Sequence, residues 1–254
     1  MTSPGLLTAG WKPVSLVDVH QETSFTVWLC GCNLKCPFCH NWRIATNQPG
    51  VCRLVPVSEI FEEAYSARFL VNYVHLTGGE PLLQHDRVAM LLKGAGEIGL
   101  KRSVNSNLTL LKPLEKLLIA ELVDHVATDL KVPYRELYGL PESSAKKLWE
   151  RYVKAIELIS SVDVALELRI PVYRGINISH VGEVLKLLQP YLSKLSGLVT
   201  LVQPLLGEPV TSPRNPSWCR DRCNPPREEL EEVADVVRSL GLPAKVIYWG
   251  VSSP

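Results

Sequence analysis

Two hydrophobic patterns alternate along the chain: short runs rich in Val, Ile and Leu, and longer stretches in which apolar residues recur every three to four positions. The first marks strands covered on both faces and the second marks amphipathic helices. Residues 25–29 (FTVWL) read as a strand that ends at a cysteine-rich loop. Residues 57–70 predict a helix with Ser58 as its N-cap and Glu59, Glu62 and Glu63 near its positive end. Residues 73–76 form a second strand that runs into Thr77-Gly78-Gly79-Glu80-Pro81.

The alternation continues to the C-terminus. Helices are predicted over residues 86–98, 114–122, 145–159, 180–195 and 227–240, and strands over 102–105, 125–130, 164–172, 198–202 and 245–249. Gly99 and Gly241 terminate two of the helices. A strand–helix unit of about 30 residues implies a parallel sheet, and pattern alone leaves an open sheet and a barrel equally admissible. Residues 1–22 read as a loosely ordered lead-in, and the Pro-rich residues 204–226 as a loop over one face. No sharp linker divides the chain, so residues 1–254 are expected to form a single domain with its core at about 24–204.

Composition narrows the function classes. With 46% hydrophobic and 21% charged residues the chain buries a core and is not a disordered segment. A net charge of +1 leaves no electrostatic footprint for nucleic acid. No apolar run is long enough for a membrane span, and residues 1–10 do not read as a signal peptide. Four of the seven cysteines fall between Cys30 and Cys39, a clustering that favours metal binding over disulfides and a cytoplasmic setting.

Within that loop, Cys32, Cys36 and Cys39 have the spacing C-x3-C-x2-C. Three soft thiolates on one short loop can hold three corners of a cubane iron–sulfur cluster and leave the fourth iron open. A structural zinc ion wants four protein ligands, and Cys30 or His40 would supply the fourth. The run Cys32-Asn-Leu-Lys-Cys36-Pro-Phe38-Cys39 resembles the radical S-adenosylmethionine (radical SAM) signature, in which an aromatic residue precedes the last cysteine. Gly31 before it and His40-Asn41 after it are similar to the glycyl-radical-enzyme activating enzymes in particular.

That resemblance implies an α/β fold, the partial, open (β/α)6 TIM-like barrel. It also implies a 4Fe–4S cluster on Cys32, Cys36 and Cys39, and S-adenosylmethionine chelated to the open iron. Gly78, Gly79 and Glu80 match the family's G-G-E-P motif, where two glycines permit close backbone approach to a ligand and Glu80 accepts from its ammonium group. Asn107 lies in a polar Asn-Ser-Asn run that either contacts the adenosyl ligand or simply makes a turn. Asp129 and Lys131 resemble the activases' D-x-K, with Lys131 near the ligand carboxylate and Asp129 open to the role of orienting it. Arg169, a charge inside an apolar strand, matches an arginine that reaches the same carboxylate, with Glu167 as its same-face partner. Gln203 is a further candidate for adenine or ribose.

The reaction expected from the resemblance is reductive cleavage of S-adenosylmethionine to a 5′-deoxyadenosyl radical, which activates a glycyl radical enzyme by taking hydrogen from a glycine. Ferredoxin or flavodoxin is the expected electron donor. The alternatives are action on a small molecule or tRNA base, as in 7-carboxy-7-deazaguanine synthases, and a non-catalytic zinc scaffold. No residue is assigned a catalytic role. Cys30 reads as a small hydrophobe or a variant ligand, and Cys52 as a bystander. Cys219 and Cys223 fit either an auxiliary metal site or a redox disulfide.

Overall fold

The computed structural model describes residues 4–248. The fold gathers into two units interleaved along the chain: Met1–Asn33, Arg43–Ala127 and Val162–Val164 make the first, and Leu34–Trp42, Thr128–Ser161 and Ala165–Pro254 the second.

The first unit opens with β1 (Gly5–Val19) and β2 (Glu22–Leu29), joined as an antiparallel hairpin. After α1 (Trp42–Ala45) follow β3 (Arg53–Pro56), α2 (Val57–Ala67), β4 (Tyr73–Gly78), a 3-10 turn (Pro81–Gln84), α3 (His85–Glu97), β5 (Lys101–Asn105), α4 (Leu111–Ile119) and β6 (His125–Asp129). Its strands lie in the order β3-β1-β2-β4-β5-β6, and β2, β4, β5 and β6 are parallel. Phe25, Val27, Leu29, Val74, Leu76, Val104 and Val126 are buried, as continuous apolar strands require. Two histidines buried among them share one hydroxyl: Ser103 meets Nδ1 of His75 at 2.7 Å and Nδ1 of His125 at 2.8 Å.

Several boundaries differ from the sequence pattern. Residues 5–19 are not a loose lead-in but strand β1, whose alternation is broken by register shifts against β2. The N-cap of α2 is Pro56, with no side-chain hydrogen bond, so Ser58 is inside the helix; the helix also stops at Ala67, where Arg68 bonds the Tyr65 carbonyl.

The second unit contains α5 (Tyr134–Leu137), α6 (Glu142–Ile159), β7 (Ala165–Val172), α7 (Ile178–Leu192), β8 (Leu198–Pro204), α8 (Pro216–Arg222), α9 (Arg227–Ser239) and β9 (Lys245–Val246). From the end of β6 its strand order is β6-β7-β8-β9, with β7, β8 and β9 parallel. Helix α9 buries Leu230, Val233, Ala234 and Val237, the i, i+3, i+4, i+7 stripe its sequence predicts. The expected final strand is reduced to Lys245–Val246, and Trp249 lies outside the described residues. The Pro-rich loop holds a helix, α8: the Asn215 side chain accepts from the Trp218 amide at 3.1 Å and Pro216 occupies the first turn, a helix-start pattern. Among the described residues no helix is long and apolar enough to cross a membrane.

Candidate functional site

In the first unit the site grows from parallel strands β2 and β4, which end level with each other, Leu29 opposite Gly78. Beyond that register the chains stay in contact: the Gly79 amide donates to the Leu29 carbonyl and the Glu80 amide to the Gly31 carbonyl, each at 2.7 Å. Gly78 has φ +105°, and a Cβ there would stand 2.6 Å from the Leu29 oxygen; a Cβ at Gly79 would collide with the Gly31 carbonyl. Both glycines are therefore required by the protein's own backbone, which packs the turn onto the start of the cysteine loop.

Glu80 is completely buried. Its Oε1 accepts from the Leu82 amide at 3.0 Å and the Ser106 hydroxyl at 2.8 Å, and its Oε2 accepts from the Asn107 amide at 2.8 Å. The carboxylate thus ties the turn after β4 to the end of β5, a role that the motif alone does not reveal. Asn107 donates through Nδ2 to Asn33 Oδ1 at 2.9 Å and towards Cys32 Sγ at 3.9 Å. Its Oδ1 accepts from the amide and hydroxyl of Thr109 at 3.0 and 2.6 Å. These bonds make Asn107 a brace for the residue pair Cys32-Asn33.

In the second unit the candidates are charges in pairs. Lys131 Nζ lies 3.0 Å from Asp129 Oδ2, and Arg169 Nε lies 2.6 Å from Glu167 Oε1, so Glu167 is the partner that strand alternation implied. The Leu130 amide bonds the Arg169 carbonyl at 2.7 Å and brings the two pairs onto neighbouring strands. Burial opposes ionisation of Asp129, but Lys131 and Arg169 outweigh it and hold the carboxyl below its usual range.

The same unit fixes the later part of the cysteine loop. The Lys35 amide bonds the Tyr138 carbonyl at 2.9 Å, the Arg214 amide bonds Cys39 O at 3.0 Å, and the Asn215 amide bonds Pro37 O at 2.9 Å. Trp218 packs on Phe38 and Tyr173 and donates from its indole to Glu136 at 2.6 Å. Burial pushes the Cys39 thiol up, with Arg214 the leading opposing influence. Gln203 sits near the end of β8. Sequence reasoning missed Arg214 and Trp218, which stand in the segment taken for an irregular loop; Asn215-Pro216 was the available signal.

The cysteines divide by chemistry. Cys30 pairs with Cys52 and Cys219 with Cys223, and the cysteines outside disulfides among the described residues are Cys32, Cys36 and Cys39. Cys30 is therefore neither a lone hydrophobe nor a ligand, and Cys52 is no bystander. Both β2 and β3 pair with β1, where Thr8 faces Leu29 on one side and Arg53 on the other, so the residues next to these, Cys30 and Cys52, stand level. For Cys219 and Cys223 the disulfide replaces the auxiliary metal site. Among the described residues no three His, Cys, Asp or Glu side chains form a ready-made single-ion site. A set of three thiols outside disulfides, with Cys30 withdrawn, fits a cubane that keeps one iron open better than a closed zinc site with four ligands.

The family model of the Radical SAM superfamily matches residues 26–188. The chain belongs to the radical SAM superfamily. Members of that family use a 4Fe–4S cluster and S-adenosylmethionine. A Methanocaldococcus jannaschii protein named as a glycyl-radical enzyme activating enzyme is 31% identical over 167 residues, covering 64% of this chain and 67% of that protein. The 7-carboxy-7-deazaguanine synthase of Hyperthermus butylicus is 33% identical over 135 residues, 52% of each chain. A Methanosarcina mazei protein named as a GTP 3′,8-cyclase is 29% identical over 174 residues, 65% of this chain and 49% of that one. The matches to the second and third span about half of those relatives' length.

Among solved structures, Streptococcus suis SuiB bound to precursor peptide SuiA superposes with a TM-score of 0.60 at 16% identity, over 85% of this chain and 46% of that one. Archaeal TYW1 gives 0.53 at 12% identity, over 87% and 73%. At these identities the likeness shows the fold alone, an α/β fold of the radical SAM open-barrel type.

Proposed function

We propose that this radical SAM enzyme activates a glycyl radical enzyme by abstracting hydrogen from a glycine of its partner. The observation that carries the reading is the loop from Gly31 to Asn41, whose only cysteines, Cys32, Cys36 and Cys39, are the three that stand outside disulfides among the described residues. The likeness to the M. jannaschii protein supports the same choice.

In this reading Cys32, Cys36 and Cys39 would hold a 4Fe–4S cluster, beside which S-adenosylmethionine would bind. When bound, that pair supplies a 5′-deoxyadenosyl radical after one-electron reduction by a donor such as ferredoxin or flavodoxin. The chain's own residues hold and orient. Gly78 and Gly79 let the turn after β4 lie against the cysteine loop, Glu80 locks that turn to the end of β5, and Asn107 braces Cys32. Lys131, aimed by Asp129, and Arg169, aimed by Glu167, are the cations set to receive a carboxylate.

A second reading, action on a small heterocycle or tRNA base, draws support from the likeness to the H. butylicus synthase. The test mixes reduced, cluster-loaded protein and S-adenosylmethionine with pyruvate formate-lyase or an anaerobic ribonucleotide reductase and looks for a glycyl radical by electron paramagnetic resonance. A glycyl radical supports activation. Cleavage of S-adenosylmethionine without one on either partner, but coupled to turnover of a heterocycle, favours the second reading.

A further inference from the structure

The segment between β8 and α9 is the part of the molecule that the site described so far does not use. It is firmly built. Asn215 caps α8, the Cys219–Cys223 disulfide closes the end of that helix, and Gly207 packs against Cys219 Sγ, where a Cβ would stand 3.0 Å away. Arg214 stands just before the capped helix and engages the cysteine loop on both sides of Cys36. Its amide bonds Cys39 O at 3.0 Å and its Nη1 reaches Leu34 O at 3.4 Å. Its Nε is buried and has no hydrogen-bond partner.

A guanidinium does not lose its proton, so this is a permanent positive charge held in a partly desolvated place. Leaving a buried N–H of a cation unsatisfied is costly, and a sulfur-rich anionic group on the cysteine loop is an acceptor such a donor suits. Reduction of a cluster adds negative charge, and a fixed cation beside one of its thiolates makes that addition easier.

We infer that Arg214 is a positioning residue for the cofactor: its guanidinium, held on the Leu34 carbonyl of the cysteine loop, raises the potential at which a cluster on this loop accepts an electron from a low-potential one-electron donor. The inference rests on the reading of Cys32, Cys36 and Cys39 as cluster ligands. It explains why a rigid, disulfide-closed helix follows Arg214: the scaffold keeps the charge at a constant distance from the loop.

The test is a redox titration of the reconstituted cluster without S-adenosylmethionine, read by electron paramagnetic resonance, in wild type, R214K, R214Q and R214M. R214Q and R214M are expected to shift the reduction equilibrium about tenfold against the reduced form, or about 59 mV for one electron. R214K keeps the charge and is expected to stay within about threefold of wild type. Wild-type potentials in R214Q and R214M overturn the inference. If the neutral variants take up no iron, R214K decides: a loaded cluster at the wild-type potential supports a role for charge, whereas loss of the cluster in R214K as well overturns it in favour of packing by the planar fork. A wild-type protein that holds no cluster defeats the ligand reading itself, a different failure from unchanged potentials in loaded variants.

Discussion

The two units hold their candidate residues by opposite physical means. The first uses short polar groups and backbone: one buried carboxylate, Glu80, is satisfied by three protein donors, and amide and hydroxyl groups of Asn33, Asn107 and Thr109 bond one another. The second uses full charges in pairs, Asp129 with Lys131 and Glu167 with Arg169, together with Arg214 against the cysteine loop. Hydrogen-bond networks fix shape, whereas opposed charges aim one another. The first unit thus braces Cys32 through Asn107, and the second holds its cations beside carboxylates.

Breaking the charge side should cost most. R169M strips Glu167, which is 2% exposed, of its guanidinium and should lower stability by about 3 kcal/mol in chemical denaturation. If the loss is under about 1 kcal/mol, the pair is not a buried charge pair in energetic terms. On the shape side, E80Q turns an amide NH2 towards existing donors and should cost about 2 kcal/mol. It should loosen the turn after β4, which faster amide exchange at Leu82 and Asn107 would report.

N107A is a milder probe of the same network. It should cost about 1 kcal/mol, and alkylation of Cys32 in the cluster-free protein should speed up as its brace is lost. The smallest effect sharpens the contrast through pH. The folded carboxyl of Asp129 titrates below its ordinary value, so its stabilising contribution is present above about pH 4 and is lost as pH falls through the folded value. D129N should remove about 0.5 kcal/mol at neutral pH and flatten the stability profile below pH 4. An unchanged acid profile would mean that this pair contributes nothing to folding.

Much of this was legible in sequence because the physics is local. The three thiols, the strand-end positions of Gly78, Asp129 and Lys131, and the Glu167–Arg169 partnership follow from spacing and strand alternation. The inward role of Glu80 was not legible, because its partners at Ser106 and Asn107 are 26 and 27 residues away. Strand β1 was hidden by register shifts that break a period of two, and with it went the reason that Cys30 and Cys52 meet. Arg214 was hidden by proline-rich surroundings, where the cap at Asn215 was the only cue to ordered structure.

The central claim, that Cys32, Cys36 and Cys39 carry a cluster that cleaves S-adenosylmethionine, is tested most directly by anaerobic reconstitution with iron and sulfide. The reduced protein is then assayed for 5′-deoxyadenosine, with the C32A/C36A/C39A protein as control. The account predicts about four irons per chain and product in the wild type, and neither in the triple variant. Tightly bound zinc with no product, or equal product from the triple variant, would contradict it.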